Sequence, residues 1–226
     1  MEQMQILLAI LVLLPFVSAL LLALCGSDRV RRLIVYGSAG VLMISAVAFA
    51  VCFFSGENLQ LRFLQSGGII DHTMLALEAG FAVLITVLSI KYRRYYVAVL
   101  SIVQTVLTFV YELGGYKPAV QPYNLFADQL TVIMVLIIAI VGTLITVYAV
   151  GYMRDYHNHH KEYTDRRRFF FAMLYVFLGA MFGLVLSNSL LWLYFFWEIT
   201  SLVSFLLIGY TRTKEAVQNS FRALWM

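Results

Sequence analysis

Seven long apolar runs constrain this chain more than any other feature of its sequence. Each run is about as long as an α-helix must be to cross the ~30 Å hydrocarbon core of a bilayer. Hydrophobic residues make up 62% of the chain and charged residues only 12%, which is more apolar than a soluble domain of this size requires. The sequence therefore predicts an all-α, polytopic integral membrane helix bundle with about seven transmembrane helices. The predicted spans are Met4 to Leu24, Leu33 to Phe54, His72 to Ile90, Tyr95 to Leu113, Phe126 to Val150, Phe169 to Ser187 and Ser189 to Tyr210.

The positions of the basic residues predict how these helices cross the membrane. When the loops are assigned to alternate sides, only Arg62 and Lys117 of the sixteen lysines and arginines fall on one side, and the other fourteen share the opposite side. Cytoplasmic loops carry an excess of lysine and arginine. The sequence therefore predicts an N-terminus outside and a C-terminus in the cytoplasm, for a multi-pass protein in contact with membrane lipid.

The cysteines, the basic clusters, the histidines and the lack of nucleotide-binding motifs argue against several classes of function. Cys25 and Cys52 lie near the ends of separate apolar runs without CxxC spacing, so neither a disulfide framework nor a metal knuckle is predicted. The basic residues form short clusters between apolar runs, which is typical of topology signals and not of nucleic-acid binding. The histidines of the loop from Gly151 to Arg168 lack paired i, i+4 ligand spacing, so we expect a solvated turn and no metal site. Because the chain has no phosphate loop or dinucleotide fingerprint, no cofactor is predicted within it.

Glu198 is the strongest candidate for function. It lies near the middle of the last apolar run, with no charged residue within eight positions on either side. A charged carboxylate at that depth costs several kcal/mol unless it is neutral, paired or facing a polar path. On a helix, Tyr194 and Ser201 share its face and offer hydroxyl groups. The residues leave two interpretations open: a proton site, or a buried neutral acid that holds the bundle together through a hydrogen bond.

Four other polar residues have weaker claims. Glu78 and His72 in the third run and Gln104 in the fourth are candidates for a proton path, although each can also serve an interhelical hydrogen bond. Asp128 opens the fifth run, where a carboxylate suits the positive end of the helix dipole, so capping is its competing role.

From Asn124 onward, the chain resembles a known family of membrane subunits. The matching text begins with NLFADQLTVIMVLI and continues through VGYM and RRFFFAMLYVFLGAMFGLVLSNSLLWLYFFWEITSLVSFLLIGY. It is similar to the proton-translocating, antiporter-like subunits shared by respiratory complex I, Mrp-type cation/proton antiporters and energy-converting membrane hydrogenases. The W-E pair of the chain-5 type is here Trp197 and Glu198, and KEAVQNSFRALW resembles the approach to the next helix, with Arg222 at the family's lysine position.

The resemblance implies two regions and a function. Residues 1–123 are expected to supply four spans with only a weak family match, and residues 124–226 the start of the proton-translocation module, with three spans and the lead-in to an eighth helix. It implies that Glu198 is the channel glutamate of a membrane subunit that carries protons or sodium, coupled to electron transfer elsewhere in a complex I-like or hydrogenase-like assembly. Alternatives are a part of an Mrp-type antiporter, or a structural subunit without transport.

The resemblance also predicts partners. Such subunits continue past this region with broken helices and buried lysines that pair with the glutamate, whereas none of the seven predicted spans contains a lysine or arginine. We therefore expect either a fragment of a longer chain or one half of a split subunit, completed by a chain that supplies the lysines. Any redox chemistry would belong to other membrane subunits of the complex.

Overall fold

The computed structural model describes residues 2–56, 61–65, 69–93, 95–113, 123–160 and 164–225. Its helices are α1 (Glu2–Leu24), α2 (Asp28–Phe54), α3 (Ile69–Lys91), α4 (Tyr95–Leu113), α5 (Gln129–Ile137), α6 (Thr143–His159), α7 (Arg167–Leu186), α8 (Leu190–Ile208) and α9 (Lys214–Trp225). The described residues also form two strands, β1 (Leu61–Gln65) and β2 (Tyr123–Ala127). A π-helical turn, Ile138–Gly142, joins α5 and α6 into one continuous helix.

The predicted all-α membrane bundle is confirmed. Six of the described helices are long and apolar enough to cross a membrane, and a seventh is apolar over the shorter range Tyr95–Tyr111. Large apolar side chains such as Leu20 and Ile44 are exposed on the outside of the bundle, as expected for helices that face lipid. The chain is therefore a multi-pass membrane protein, and its orientation stays a prediction.

The fifth predicted span is shifted and longer in the structure. Phe126 lies in β2, and the helix begins one residue after Asp128, whose carboxylate accepts hydrogen bonds from the backbone N–H and the hydroxyl of Thr131, both at 2.8 Å. Satisfying these amide donors at the first turn fixes the helix start. At its other end the helix continues to His159, so much of the segment predicted as a loop from Gly151 is helical.

A small antiparallel sheet was not anticipated. β1 pairs with β2, with Phe63 opposite Leu125, and Ser187 adds an isolated bridge to Leu125. These contacts tie the connection after α2 to the start of α5 and to the turn between α7 and α8. Pairing between strands some sixty residues apart leaves no periodic signal in strands of five residues, so the pattern of the sequence did not reveal it.

Helix packing divides the described part of the bundle into two large neighbouring cores and a smaller cluster between α8 and α9. α1, α2 and α7 pack with the long α5–α6 helix around buried residues that include Phe49 and Tyr175. α8 packs against α7 on one side and against α3 and α9 on others, with Phe195 and Phe196 buried at these contacts. α8 therefore lies between the main bundle and the α3–α4 pair, which places its polar face toward that pair.

Gly179 and Gly183 of α7 make this arrangement possible. A Cβ at Gly179 would lie 2.9 Å from the Phe16 ring of α1, and a Cβ at Gly183 would collide with the Phe196 ring of α8. The two glycines of the GxxxG pattern thus admit aromatic rings from two different helices, which is close packing of the kind small residues allow in membranes.

Candidate functional site

The candidate site is built around the carboxylate of Glu198 on α8. Its Oε1 atom accepts a hydrogen bond from Gln104 Nε2 at 2.7 Å and a second from the Tyr194 hydroxyl at 2.9 Å. Tyr194 lies one turn earlier on the same helix, as the i, i+4 spacing requires. Gln104 comes from α4, ninety-four positions away in the chain.

The second carboxylate oxygen is in a different state. Glu198 Oε2 is buried and has no hydrogen-bond partner among the described residues. A buried carboxylate oxygen without a donor is costly, so such an atom is a natural position for a proton, a water molecule or a cation. Only one of the two carboxylate oxygens therefore accepts hydrogen bonds from the described residues.

A cavity of about 700 Å³ opens beside this carboxylate. It lies between α3, α4, α8 and the end of α9, which contributes Ala223. Its polar lining groups besides Glu198 and its two donors are Ser101, Thr108 and Ser201, whereas Trp197 and several aliphatic residues form the rest of the wall. Water or an ion in this cavity would have hydroxyl groups within a few ångströms along α4 and α8.

The α4 face is organised by local hydrogen bonds. Thr105 donates to Ser101 O at 2.7 Å and Thr108 donates to Gln104 O at 3.2 Å. These hydroxyls satisfy their own helix backbone, as threonines in apolar helices commonly do. The side-chain amide of Gln104 is thereby the α4 group that reaches across to α8.

A second acid lies close by. Glu78 on α3 is only 2% exposed and lies near enough to the Tyr194 hydroxyl to interact with it electrostatically. Tyr194 thus stands in the electrostatic environment of two carboxyl groups, Glu198 and Glu78. This arrangement was not apparent from the sequence, since Glu78 and Glu198 are on different helices.

The remaining candidates lie elsewhere. His72 is exposed near the start of α3 and does not line the cavity. Asp128 caps α5, and its pKa is lowered by the hydrogen bonds from Thr131. Arg222 is exposed on α9 and donates to Asn219 at 3.4 Å, although its neighbour Ala223 reaches the cavity.

The histidines near the end of α6 are held by their own helix. The Nδ1 atoms of His157, His159 and His160 each face the carbonyl oxygen four residues earlier, at 3.0, 2.8 and 3.2 Å. His157 also lies 3.2 Å from the Tyr210 hydroxyl. Up to His159 the segment is the end of a helix and not the turn that the sequence predicted, although most of its side chains are exposed, as expected for a solvated segment.

A buried polar cluster was missed by the sequence analysis. The Tyr175 hydroxyl of α7 lies 2.6 Å from the Ser38 hydroxyl of α2 and donates to Val35 O at 3.1 Å. Thr143 and Thr146, both fully buried on α6, lie on the same side of the bundle core. Small hydroxyl residues within apolar runs are the only signal for such a cluster, and they are too common to be diagnostic.

Comparison with known proteins bears on the same residues. Residues 121–170 match the family model described as NADH-ubiquinone oxidoreductase (complex I), chain 5 N-terminus, and residues 187–226 match the model described as NADH:quinone oxidoreductase/Mrp antiporter, transmembrane. These two segments are thus similar to the antiporter-like membrane subunits of complex I and Mrp antiporters. Glu198, with Tyr194 and Ser201, lies in the second antiporter-like segment, whereas Gln104 and Glu78 lie outside both.

Two relatives show how much of such a protein the chain represents. The Na(+)/H(+) antiporter subunit A1 of Staphylococcus haemolyticus (strain JCSC1435) is 34% identical over 122 residues, which cover 54% of this chain and 14% of that protein. The protein of the same name from Staphylococcus aureus (strain JH9) is 28% identical over 161 residues, which cover 64% of this chain and 19% of that protein. The chain thus spans less than a fifth of the length of these curated relatives.

Proposed function

We propose that this chain forms part of an ion-translocating, antiporter-like membrane subunit in which Glu198 takes up and releases a proton. The observation that carries the proposal is the asymmetry of the carboxylate. Oε1 is held by Gln104 and Tyr194, and Oε2 is buried without a partner among the described residues. A carboxyl group that served only to join helices would be expected to use both oxygens.

The two donors make the carboxylate suitable for reversible protonation. Burial in an apolar bundle favours the neutral acid, while hydrogen bonds from Gln104 and Tyr194 favour the ionised form. The hydrogen bonds offset only part of the effect of burial, so a further change in the surroundings, such as the approach of a cation, can move the balance toward the ionised form. The free Oε2 atom is the position where the proton would reside.

The cavity leads to the side chain of Glu198. Hydroxyl groups of Ser101, Thr108 and Ser201 line it, so water molecules in the cavity would have partners at several points. Glu78 is the second acidic group of the proposed path. The Tyr194 hydroxyl interacts electrostatically with both acids. His72 is assigned no step, because it lies outside the cavity.

A cationic partner for Glu198 would have to come from outside the seven apolar runs, which contain no lysine or arginine. The proposal therefore includes a basic group from another part of the protein or from another membrane subunit. Approach of that group would favour the ionised form and release the proton, and its withdrawal would favour uptake.

The relatives favour cation/proton exchange as the process coupled to this proton movement. Both are named as subunits of a Na(+)/H(+) antiporter. Redox-driven translocation is the second candidate, since the first matched segment corresponds to complex I chain 5. A sodium gradient should drive proton movement in vesicles containing the native complex in the first case, and an electron donor should drive it in the second.

Substitution Glu198→Gln tests the central step. It removes the titratable group at nearly constant shape, so proton movement by the native complex in vesicles should fall to background while the complex assembles normally. Glu215→Gln is the matched control, because Glu215 is an exposed acid on α9. Normal transport in Glu198→Gln would exclude the proposal, and loss of the complex from the membrane without loss of activity per complex would instead support the structural alternative.

A further inference from the structure

A basic cavity of about 790 Å³ lies where the α1–α2 turn meets the start of α7, and it shares no lining residue with the Glu198 cavity. Five arginines and two aspartates line it, which leaves a net charge of +3. The lining charged residues are Asp28, Arg29, Arg31, Asp165, Arg166, Arg167 and Arg168. Because the cavity lies where apolar helices end, it falls at the level expected for lipid headgroups.

Some of the arginines that line this cavity form ion pairs with its aspartates. Arg167 binds Asp165, with Nη2 to Oδ2 at 2.7 Å, and also lies 3.4 Å from Asp28. Asp28 pairs with Arg31 at 2.8 Å. Hydrogen bonds and the charge of Arg167 hold the pKa of Asp165 at about 2, and the same pairing raises the pKa of Arg167. These pairs build the wall of the cavity.

Other basic groups keep their capacity for an anion. Arg29 and Arg168 have no acidic partner within 4.0 Å among the described residues. The guanidinium group of Arg168 lies directly over Gly26, where a Cβ would come within 2.6 Å of it. Arg31 is only 6% exposed, and its Nε atom is buried with no acceptor among the described residues. Arg31 therefore adds positive charge to the wall from within the bundle, while the exposed Arg29 and Arg168 are the arginines open to an anion.

The surface beside the cavity is strongly apolar. Leu24 is 71% exposed and Leu33 is 75% exposed, and Val30 between them is also exposed. These residues flank the α1–α2 turn that forms one wall of the basic cavity. A ligand that satisfies both surfaces carries phosphate oxygens at one end and hydrocarbon at the other.

We propose that this cavity binds the phosphate headgroup of an anionic phospholipid, whose acyl chains lie along Leu24 and Leu33. Arg29 and Arg168 hold the phosphate oxygens, and the buried charge of Arg31 adds to the attraction. Basic pockets between transmembrane helices bind lipid headgroups through this combination of charge and depth. A free phosphate would satisfy the arginines and leave the apolar flank unused.

The test uses the purified full chain and measures bound lipid by native mass spectrometry during titration with cardiolipin, phosphatidylglycerol or phosphatidylcholine. The variant Arg29→Gln/Arg168→Gln removes the two arginines without acidic partners, and should weaken cardiolipin binding about thirtyfold, since each arginine near an anionic lipid contributes about a factor of five. Arg93→Gln/Lys214→Gln is the control of equal charge change, because both residues are exposed outside the cavity. Arg29→Lys/Arg168→Lys should retain most of the binding.

The expected ranking is cardiolipin and phosphatidylglycerol well above phosphatidylcholine, with no competition from millimolar inorganic phosphate. Equal weakening in the two glutamine variants would overturn the site, since binding would then follow net charge alone. Displacement of the lipid by inorganic phosphate would overturn the lipid assignment and identify a free-anion site. Circular dichroism checks that each variant has the helix content of the parent. None of these measurements depends on transport activity.

Discussion

The hydrogen bond from Gln104 to Glu198 allows a quantitative prediction about proton affinity. Gln104→Leu removes the amide donor that lies 2.7 Å from Oε1 and keeps a similar side-chain volume. A hydrogen bond to a charged group contributes about 1.5–3 kcal/mol. Because Oε1 retains only Tyr194 and Oε2 has no donor among the described residues, no other group of the described site compensates. Ionisation of the carboxylic acid should become roughly ten- to a hundredfold less favourable, at about 1.4 kcal/mol per factor of ten.

The assay is the pH dependence of proton movement by the native complex in vesicles. If release of the proton from Glu198 limits transport, the pH of half-maximal activity should rise by about one to two units in Gln104→Leu. Thr105→Val is the control, because the Thr105 hydroxyl donates to Ser101 O on its own helix and does not contact Glu198. Identical pH profiles for the parent and Gln104→Leu, with Glu198→Gln inactive, would refute the assignment of Gln104 as the residue that tunes the carboxylate.

Two further predictions concern stability. Gly183→Leu should lower the free energy of unfolding by about 1–3 kcal/mol, because the added side chain collides with Phe196. Denaturant titration in detergent measures this change. The control Gly40→Leu should lower it much less, because the added Cβ meets nothing within 4 Å. Asp165→Asn should cost about 0.5–1 kcal/mol at neutral pH, since the Asp165–Arg167 pair is partly exposed. Because the pKa of Asp165 is lowered from 3.8 to about 2, this contribution is complete above about pH 4 and is lost as pH falls through about 2, so parent and variant should converge there.

The membrane spans could be predicted because each residue has its own free energy of transfer into a bilayer, whatever its neighbours are. An apolar run of sufficient length must form a helix with internally satisfied hydrogen bonds wherever its neighbours are. The ends of the fifth span were predicted less well. The helix begins after the cap at Asp128 and continues to His159, whereas the predicted ends were Phe126 and Val150. Both ends depend on neighbouring groups. The β1–β2 pairing escaped prediction because it joins short segments far apart in the chain.

Glu198 itself was a candidate from the sequence alone, since an acid in an apolar run is costly in any fold. Which polar residues accompany it was decided by the tertiary structure. Gln104 reaches the carboxylate and His72 does not, although both were candidates of equal standing in the sequence. The difference arises because the rotation of α4 against α8 is set by packing between helices that are distant in the chain.

By itself, the sequence determined that this protein crosses the membrane several times and carries an acid within an apolar segment that resembles the antiporter-like family. The tertiary structure decided that one oxygen of that acid is bound and the other available, and that arginines from two turns meet in one cavity. Transfer of side chains into lipid depends on each residue's own chemistry and can be inferred locally. Hydrogen-bond partners and charge clusters depend on which distant helices share an interface, and only the packed fold fixes that.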